Sequence, residues 1–295
     1  MFLARVQIAN ETVVAARLAP GTLLRLDSLA PNASDDPLRL LDEYGAEGLA
    51  AKARELQESG REGLLLSEDE VQFEAPVARC GKLVCIALNY RAHASEGDQE
   101  APMEPVIFFK PSTSLVGHGQ LVVRPARSRR LDYEVELAVV IGKRVRDLPR
   151  DRWQEAVAGY TIFNDITARD LQLEAIEANV PWDRSKGFDT FAPVGPYLVT
   201  PDEVLDPHDL DLEIRVGDRV LQSSNTRHMI FDIPRLLEDI SFGITLEPGD
   251  IIGTGTPDGI GPVEHGDVME ATVGNLGTLR SPVHCATEGV PLVPA

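Results

Sequence analysis

Two carboxylates separated by one residue, Glu134 and Glu136, stand in the segment Asp132-Tyr133-Glu134-Val135-Glu136-Leu137-Ala138-Val139-Val140. Read as a strand, a period of 2 puts both on one face and Val135, Leu137 and Val139 on the other. The second half is apolar on both faces, as in a buried strand. Carboxylates about 7 Å apart at the mouth of such a strand repel one another and lose hydration. A hard divalent cation between them reverses that penalty. Taken alone, the pair reads equally as a solvated strand face. A second segment runs from the apolar stretch 159–163 into Asn164-Asp165 and then a helix start. Asp165 there either projects into a site or caps the helix. Three carboxylates with water and substrate oxygens form an octahedral, all-oxygen shell suited to Mg²⁺ or Mn²⁺; with no Cys or His nearby in sequence, zinc is the weaker choice. In Leu88-Asn89-Tyr90-Arg91-Ala92-His93-Ala94-Ser95-Glu96, His93 and Glu96 are three apart and share a face of a helical turn. A carboxylate so placed can hold an imidazole as general base, although the same spacing occurs on many surface helices.

These residues need a scaffold. Residues 2–9 and 12–19 alternate apolar and polar around Asn10-Glu11, which predicts a hairpin. Ser34-Asp35-Asp36-Pro37 offers a helix cap with proline at the first helical position, and Gly60 marks the end of the helix that follows. Residues 1–75 carry no concentrated chemistry and read as a small accessory α/β domain. From residue 80 onward short β-rich segments recur, at 83–87, 106–109, 133–141, 159–163, 197–199, 211–216, 250–254 and 267–273. Helical patterns are fewer: a short one after Tyr90, one over 168–178 and one over 233–241. Strands without a strict β-α alternation predict an α+β fold, a mixed, curved sheet closed on itself across residues 76–295. No GxGxxG follows a strand and no GxxxxGK[ST] occurs, so a nucleotide cofactor is not expected.

Composition narrows the partners. With 28 basic and 47 acidic residues the net charge is −19, which argues against nucleic acid and anionic membrane surfaces. No apolar run is long enough to span a bilayer, and the opening residues lack a signal-peptide h-region. Cys80, Cys85 and Cys285 have neither zinc nor disulfide spacing and read as reduced thiols, so a cytoplasmic location is expected.

The segments 87–96, 106–119, 132–143, 165–172, 186–196 and 222–261 resemble, in that order, the fumarylacetoacetate hydrolase family. The resemblance is strongest in Asp132–Ala138, Lys186-Gly187-Phe188-Asp189-Thr190, Ser224-Asn225-Thr226, and Leu246-Glu247-Pro248-Gly249-Asp250 leading to Gly255-Thr256-Pro257-Asp258-Gly259. It covers roughly residues 78–285 and points to the shorter bacterial members, of the acylpyruvase and oxaloacetate decarboxylase branch. It implies a mixed β-roll, paired as a homodimer, in which Glu134, Glu136 and Asp165 ligate Mg²⁺ or Mn²⁺. By the same resemblance His93 and Glu96 are the lid-helix dyad that activates water, and Lys186 is the lysine beside the developing negative charge. Gln172 and Thr256 fall at substrate contacts. Lys110, in a family-like Phe-Phe-Lys-Pro, either faces the site or forms a structural ion pair. Where the long eukaryotic members carry another acidic ligand ahead of the histidine, this chain has Leu88-Asn89-Tyr90, which speaks against fumarylacetoacetate as substrate.

The implied substrate is a small acidic keto compound, and the implied reaction is C–C hydrolysis of an acylpyruvate-like 2,4-dioxo acid through a pyruvate enolate. The same enolate chemistry serves oxaloacetate decarboxylation, or isomerisation or hydration of a hydroxymuconate-type acid. A non-catalytic metal-binding homologue is the remote alternative.

Overall fold

The computed structural model describes residues 1–29, 35–97 and 100–286. In chain order the strands are β1 Phe2–Ile8, β2 Glu11–Ala19, β3 Thr22–Arg25, β4 Leu65–Ser67, β5 Gln72–Glu74, β6 Leu83–Ala87 and β7 Val106–Lys110. They continue with β8 Leu115–Val116, β9 Val122–Arg124, β10 Leu131–Tyr133, β11 Val135–Ile141, β12 Val157–Asn164, β13 Thr167–Ala168 and β14 Ala192–Val199. The last are β15 Asp211–Val216, β16 Arg219–Asn225, β17 Ile251–Gly253, β18 Gly261–Val263, β19 Val268–Val273 and β20 Thr278–Cys285. The α-helices among the described residues are α1 Pro37–Glu58, α2 Arg91–Glu96, α3 Arg169–Glu177 and α4 Ile233–Ser241. None is long and apolar enough to cross a membrane.

The sheets are mixed and the helices few, as an α+β chain requires. One sheet runs β4-β3-β2-β1-β14-β12-β11-β17-β6-β7, with β5 on β1 and β8 on β14; a second runs β16-β15-β19-β20-β9, and a third is β13-β10-β18. Pairings are antiparallel apart from β17–β6, β14–β8 and β20–β9.

β11 lies at the centre of the large sheet, between β12 and β17, and all seven of its residues are buried. Its alternation sorts the interior. Val135, Leu137, Val139 and Ile141 point into a core shared with Ile214 of β15, Met269 and Ala271 of β19, and Leu237 and Ile240 of α4. Ala138 and Val140 point the other way, into a core shared with Cys85, Phe163, Ile251 and the α1 residues Leu40, Leu49 and Ala53. Glu136 falls in register with Ala138 and Val140, so it is a carboxylate on an otherwise apolar face.

The hairpin of residues 2–19 forms with the expected pairing, Leu3 opposite Ala16 and Val6 opposite Val13. Asp36 caps α1, its carboxylate accepting the Leu38 N–H at 3.1 Å, and Pro37 takes the first helical position. Ser34 of the expected cap lies outside the described residues. The helix ends at Glu58 with Ser59 as its C-cap, one residue before Gly60, and kinks at Gly45 with φ 65°. The N-terminal strands join the large sheet directly: β1 pairs with β14, Phe2 opposite Val199 and Leu3 opposite Leu198.

One element differs from its sequence signature. Residues 133–141 read as a single strand, but the strand is interrupted at Glu134. The cause is a side chain from elsewhere: Asn164 Oδ1 accepts the Glu134 N–H at 2.9 Å, replacing a ladder bond and turning the chain from β10 in the small sheet to β11 in the large one.

Leu3 is fully buried at the β1–β14 junction. Leu3→Ala is expected to cost about 3 kcal/mol, seen as a lower urea midpoint at unchanged slope. Both tryptophans, Trp153 and Trp182, lie outside the first 75 residues. Their fluorescence should therefore shift together with far-UV circular dichroism, because the mutated strand belongs to the large sheet and both tryptophans pack against the cores on its two faces, so all unfold together.

Candidate active site

Two backbone links hold the carboxylates side by side. Asn164 Oδ1 accepts the Glu134 N–H, and the Asp165 N–H donates to the Glu134 carbonyl at 2.8 Å. Asp165 is therefore fixed where β12 ends, next to the strand break that presents Glu134. It does not cap α3: the cap position is Ala168, with no side-chain bond. Glu136, two residues along β11, reaches the same point from the sheet interior, which needs a glycine opposite. A Cβ on Gly253 would lie 2.6 Å from Glu136 Oε2 and 2.9 Å from the Phe163 ring. Glu134, Glu136 and Asp165 are all buried and each can offer an oxygen within 4.8 Å of the others.

The cluster is unevenly neutralised. Lys186 Nζ donates to Glu134 Oε2 at 2.7 Å and to Asp165 Oδ2 at 2.6 Å. Lys110, buried, donates to Asp165 Oδ1 at 2.5 Å and to the Ile166 carbonyl at 3.0 Å. Arg169 pairs with Glu134 Oε1, with Asp132 Oδ2 at 2.9 Å and with Gln172 Oε1 at 2.5 Å. Arg130 adds a two-point pair with Asp132 at 2.8 and 3.0 Å. Glu136 instead accepts a backbone N–H, that of Gly255, at 3.0 Å.

Protonation follows this layout. Burial pushes the Glu134 carboxyl up, but Lys186 and Arg169 outweigh it and hold the group well below the usual carboxylate range. Burial, then the charges of Asp165 and Glu134, push Glu136 far above that range. Burial lowers the Lys110 ammonium against the pull of Asp165. For Lys186 burial is outweighed by Asp165 and Glu134, and the ammonium is stabilised. Three buried oxygen-donor groups, one lacking a cationic partner, suit a hard divalent cation.

A cavity of about 380 Å³ opens over this cluster, lined by Glu134, Asp165 and Lys186 on its floor and by Arg169, Gln172 and Thr256 beside them. His93 and Glu96 reach it from α2. His93 Nδ1 stands 3.5 Å from Glu96 Oε2, and both Glu96 oxygens accept the Gly259 N–H at 3.2 Å. One carboxylate thus faces the imidazole and ties the short helix to the loop after β17. Thr256 lines the cavity, with its hydroxyl donating to the Val135 carbonyl at 2.9 Å and accepting from Gln222 Nε2 at 2.9 Å. Lys110 does not line the cavity. Its ion pair with Asp165 matches the structural option open at the sequence level.

Sequence reasoning passed over Arg169, which bridges Asp132, Glu134 and Gln172. Its position three before Gln172 on a helix was an available signal, since residues so spaced share a face. It also passed over the apolar wall of the cavity, formed by Val106, Phe108, Leu173, Ile176, Trp182 and Ile260. Trp182 packs on Phe108 with ring centroids 4.9 Å apart, and it faces the cavity as well.

Comparison with known proteins places the chain in a family. The fumarylacetoacetate (FAA) hydrolase C-terminal family matches residues 82–284, and this chain belongs to it. A 2,4-didehydro-3-deoxy-L-rhamnonate hydrolase of a Sphingomonas species is 44% identical over 228 residues, 75% of this chain and 79% of that protein. A mitochondrial oxaloacetate tautomerase of Bos taurus is 42% identical over 226 residues, 74% of this chain and 71% of that one. A maleylpyruvate hydrolase of Sphingobium sp. SYK-6, solved in complex with manganese(II) ion and pyruvate, superposes with a TM-score of 0.80 at 31% identity, covering 97% of this chain and all of that one. The family's enzymes thus include hydrolases, isomerases and tautomerases.

Glu136 generates a prediction about metal uptake. Without a metal its carboxyl keeps its proton above the ordinary carboxylate range, and a metal ligand must be ionised. Below that raised pKa, binding of Mn²⁺ expels a proton, so affinity should rise with pH, by up to about tenfold per unit for one proton. Calorimetric titration in two buffers of unlike ionisation enthalpy should show the release, and Glu136→Gln should abolish it.

Proposed function

We propose that this chain is a divalent-metal-dependent hydrolase that cleaves the C–C bond of an acylpyruvate-like 2,4-dioxo acid. The observation that carries the reading is that two half-sites line one cavity. Glu134 and Asp165 line it with Lys186, with Glu136 buried beside them, and the His93–Glu96 pair lines it from α2. Glu134, Glu136 and Asp165 would hold Mg²⁺ or Mn²⁺, which supplies Lewis-acid polarisation for a 2-oxo acid.

The chain's own groups do the rest. His93, faced by the Glu96 carboxylate, takes a proton from water as that water adds to the distal acyl carbonyl. Collapse of the adduct breaks the C–C bond; the acyl part leaves as a carboxylic acid and the electron pair stays on the pyruvate fragment as enolate. Lys186, fully charged between Glu134 and Asp165, offsets the enolate charge, and a proton returned to its carbon completes pyruvate. One water is consumed and one carboxylic acid and one pyruvate are formed. Arg169 keeps Gln172 and Glu134 in place, so the amide of Gln172 is presented to the substrate at a fixed angle.

A second reading uses the floor alone. Decarboxylation or tautomerisation of oxaloacetate needs enolate stabilisation and no water attack, and a tautomerase of oxaloacetate is among the proteins to which this chain is similar. The two readings part at His93. With Mn²⁺ or Mg²⁺ restored to stripped protein, pyruvate release from acetylpyruvate, fumarylpyruvate and oxaloacetate is measured before and after His93→Ala. Hydrolysis is expected to fall by about 10²–10⁴-fold while any turnover of oxaloacetate persists. Turnover of oxaloacetate alone, untouched by His93→Ala, would overturn the hydrolase reading in favour of the second. Full activity in Glu134→Ala would sink both.

A further inference from the structure

The cavity has two chemically unlike ends. Beyond the carboxylates and Lys186, its wall is built by Val106 and Phe108 from β7, Leu173 and Ile176 from α3, Trp182 from the loop after α3, and Ile260 from the loop after β17. These side chains are not simply buried core. Val106 is 38% exposed, Ile176 47% and Leu173 55%, so they leave apolar surface open at the cavity. The basic groups lining the cavity are already held. Lys186 lies between Glu134 and Asp165, Arg169 is paired to Asp132 and Glu134, and Arg130 is paired to Asp132. Glu96 adds a negative charge at the rim. A substrate with a second carboxylate would desolvate that group against hydrocarbon and beside an anion, with the basic groups of the cavity gathered at its carboxylate end. A hydrocarbon tail would instead gain by leaving water.

We propose that the site selects 2-oxo acids with an apolar tail, acyl in the case of an acylpyruvate, and that Trp182 ends the space available to that tail. The inference rests on the 2-oxo-acid reading of the same site and gives it a substrate class. The limit at Trp182 follows from a second cavity. About 390 Å³ of space, lined by Leu171, Ala175, Val180 and Phe188 together with Arg127, Glu174 and Arg184, lies against the same indole. Trp182 lines both cavities, braced by Phe108, and is the partition between them. Removing the indole joins two cavities of similar size and lengthens the space open to a tail.

The test is a calorimetric binding series on the full-length, Mn²⁺-loaded protein, so it does not depend on which bond is broken. The ligands are pyruvate, 2-oxobutanoate, 2-oxopentanoate, 2-oxohexanoate, 2-oxooctanoate and 2-oxoadipate. The last matches 2-oxohexanoate in length but ends in a carboxylate. Affinity is expected to climb about fourfold per methylene, about 60-fold from pyruvate to 2-oxohexanoate. It should then level or fall at 2-oxooctanoate, with 2-oxoadipate no tighter than pyruvate. Trp182→Ala should raise the ratio of 2-oxooctanoate to 2-oxohexanoate affinity by at least about tenfold, checked against an unchanged circular dichroism spectrum. Leu173 is exposed enough to be replaced without disturbing the core, so Leu173→Lys provides an independent arm. It should supply the missing counter-charge and favour 2-oxoadipate over 2-oxohexanoate. Binding of 2-oxoadipate to the unmodified protein as tightly as 2-oxohexanoate would overturn the proposal. So would a folded Trp182→Ala with an unchanged ratio, for the part concerning the partition. If pyruvate binds and the tail adds nothing, this inference alone fails. If no 2-oxo acid binds at all, the functional reading beneath it fails too.

Discussion

Repulsion among carboxylates that the chain cannot place in water governs the site and much of the fold around it. Glu134, Glu136 and Asp165 lie within a few ångströms of one another, and Asp132 is buried on the adjoining strand. Isolated ions in such surroundings would be prohibitively costly. The chain responds with Lys110, Lys186, Arg169 and Arg130, drawn from four different segments and each aimed at particular oxygens. The division among them is meaningful. Lys110 approaches Asp165 from within the protein and stays clear of the cavity, whereas Lys186 reaches the same carboxylate from the cavity floor. One lysine therefore has a structural task and the other remains in contact with whatever the cavity admits.

The scaffold explains why so polar a cluster can sit on β11. The strand is apolar on the face packed against β15 and β19, and that face supplies hydrophobic burial independent of the site. On the opposite face a single position, Glu136, is given to chemistry, and Gly253 on the neighbouring strand leaves the room for it. The loop that follows β17 links the short helix α2 to β11. Thr256 is bonded to the backbone of β11, and three residues on Gly259 donates to Glu96 of the short helix. The orientation of the His93–Glu96 pair is thereby referenced to the strand that carries the carboxylates.

Local signals made some parts of this arrangement legible. The helix over 233–241 was evident from its pattern, and it forms over those residues, capped by Asp232. The carboxylates and the histidine pair were nameable because spacing of two on a strand and three on a helix are local properties. The interruption at Glu134 was not legible, because its cause is the Asn164 side chain, thirty residues away. The direction of Lys110 depends on where β12 ends, and the sequence around Lys110 holds no trace of that. The apolar wall of the cavity is assembled from four separate segments, none of which has a distinctive pattern by itself.

The break at Glu134 has a consequence for how the site can be tuned. Glu136 belongs to the large sheet, while Glu134 sits on the seam where the chain passes to the small sheet of β10, β13 and β18. The spacing between these two oxygen donors is therefore set by the angle between two sheets, not by the rigid repeat of one strand. Substitutions that re-pack the small sheet, through Leu131, Ala168 or Val263, would alter that spacing without touching a charged residue. The oxygen spacing that a bound cation would meet is thus adjustable from hydrocarbon rather than from the carboxylates themselves.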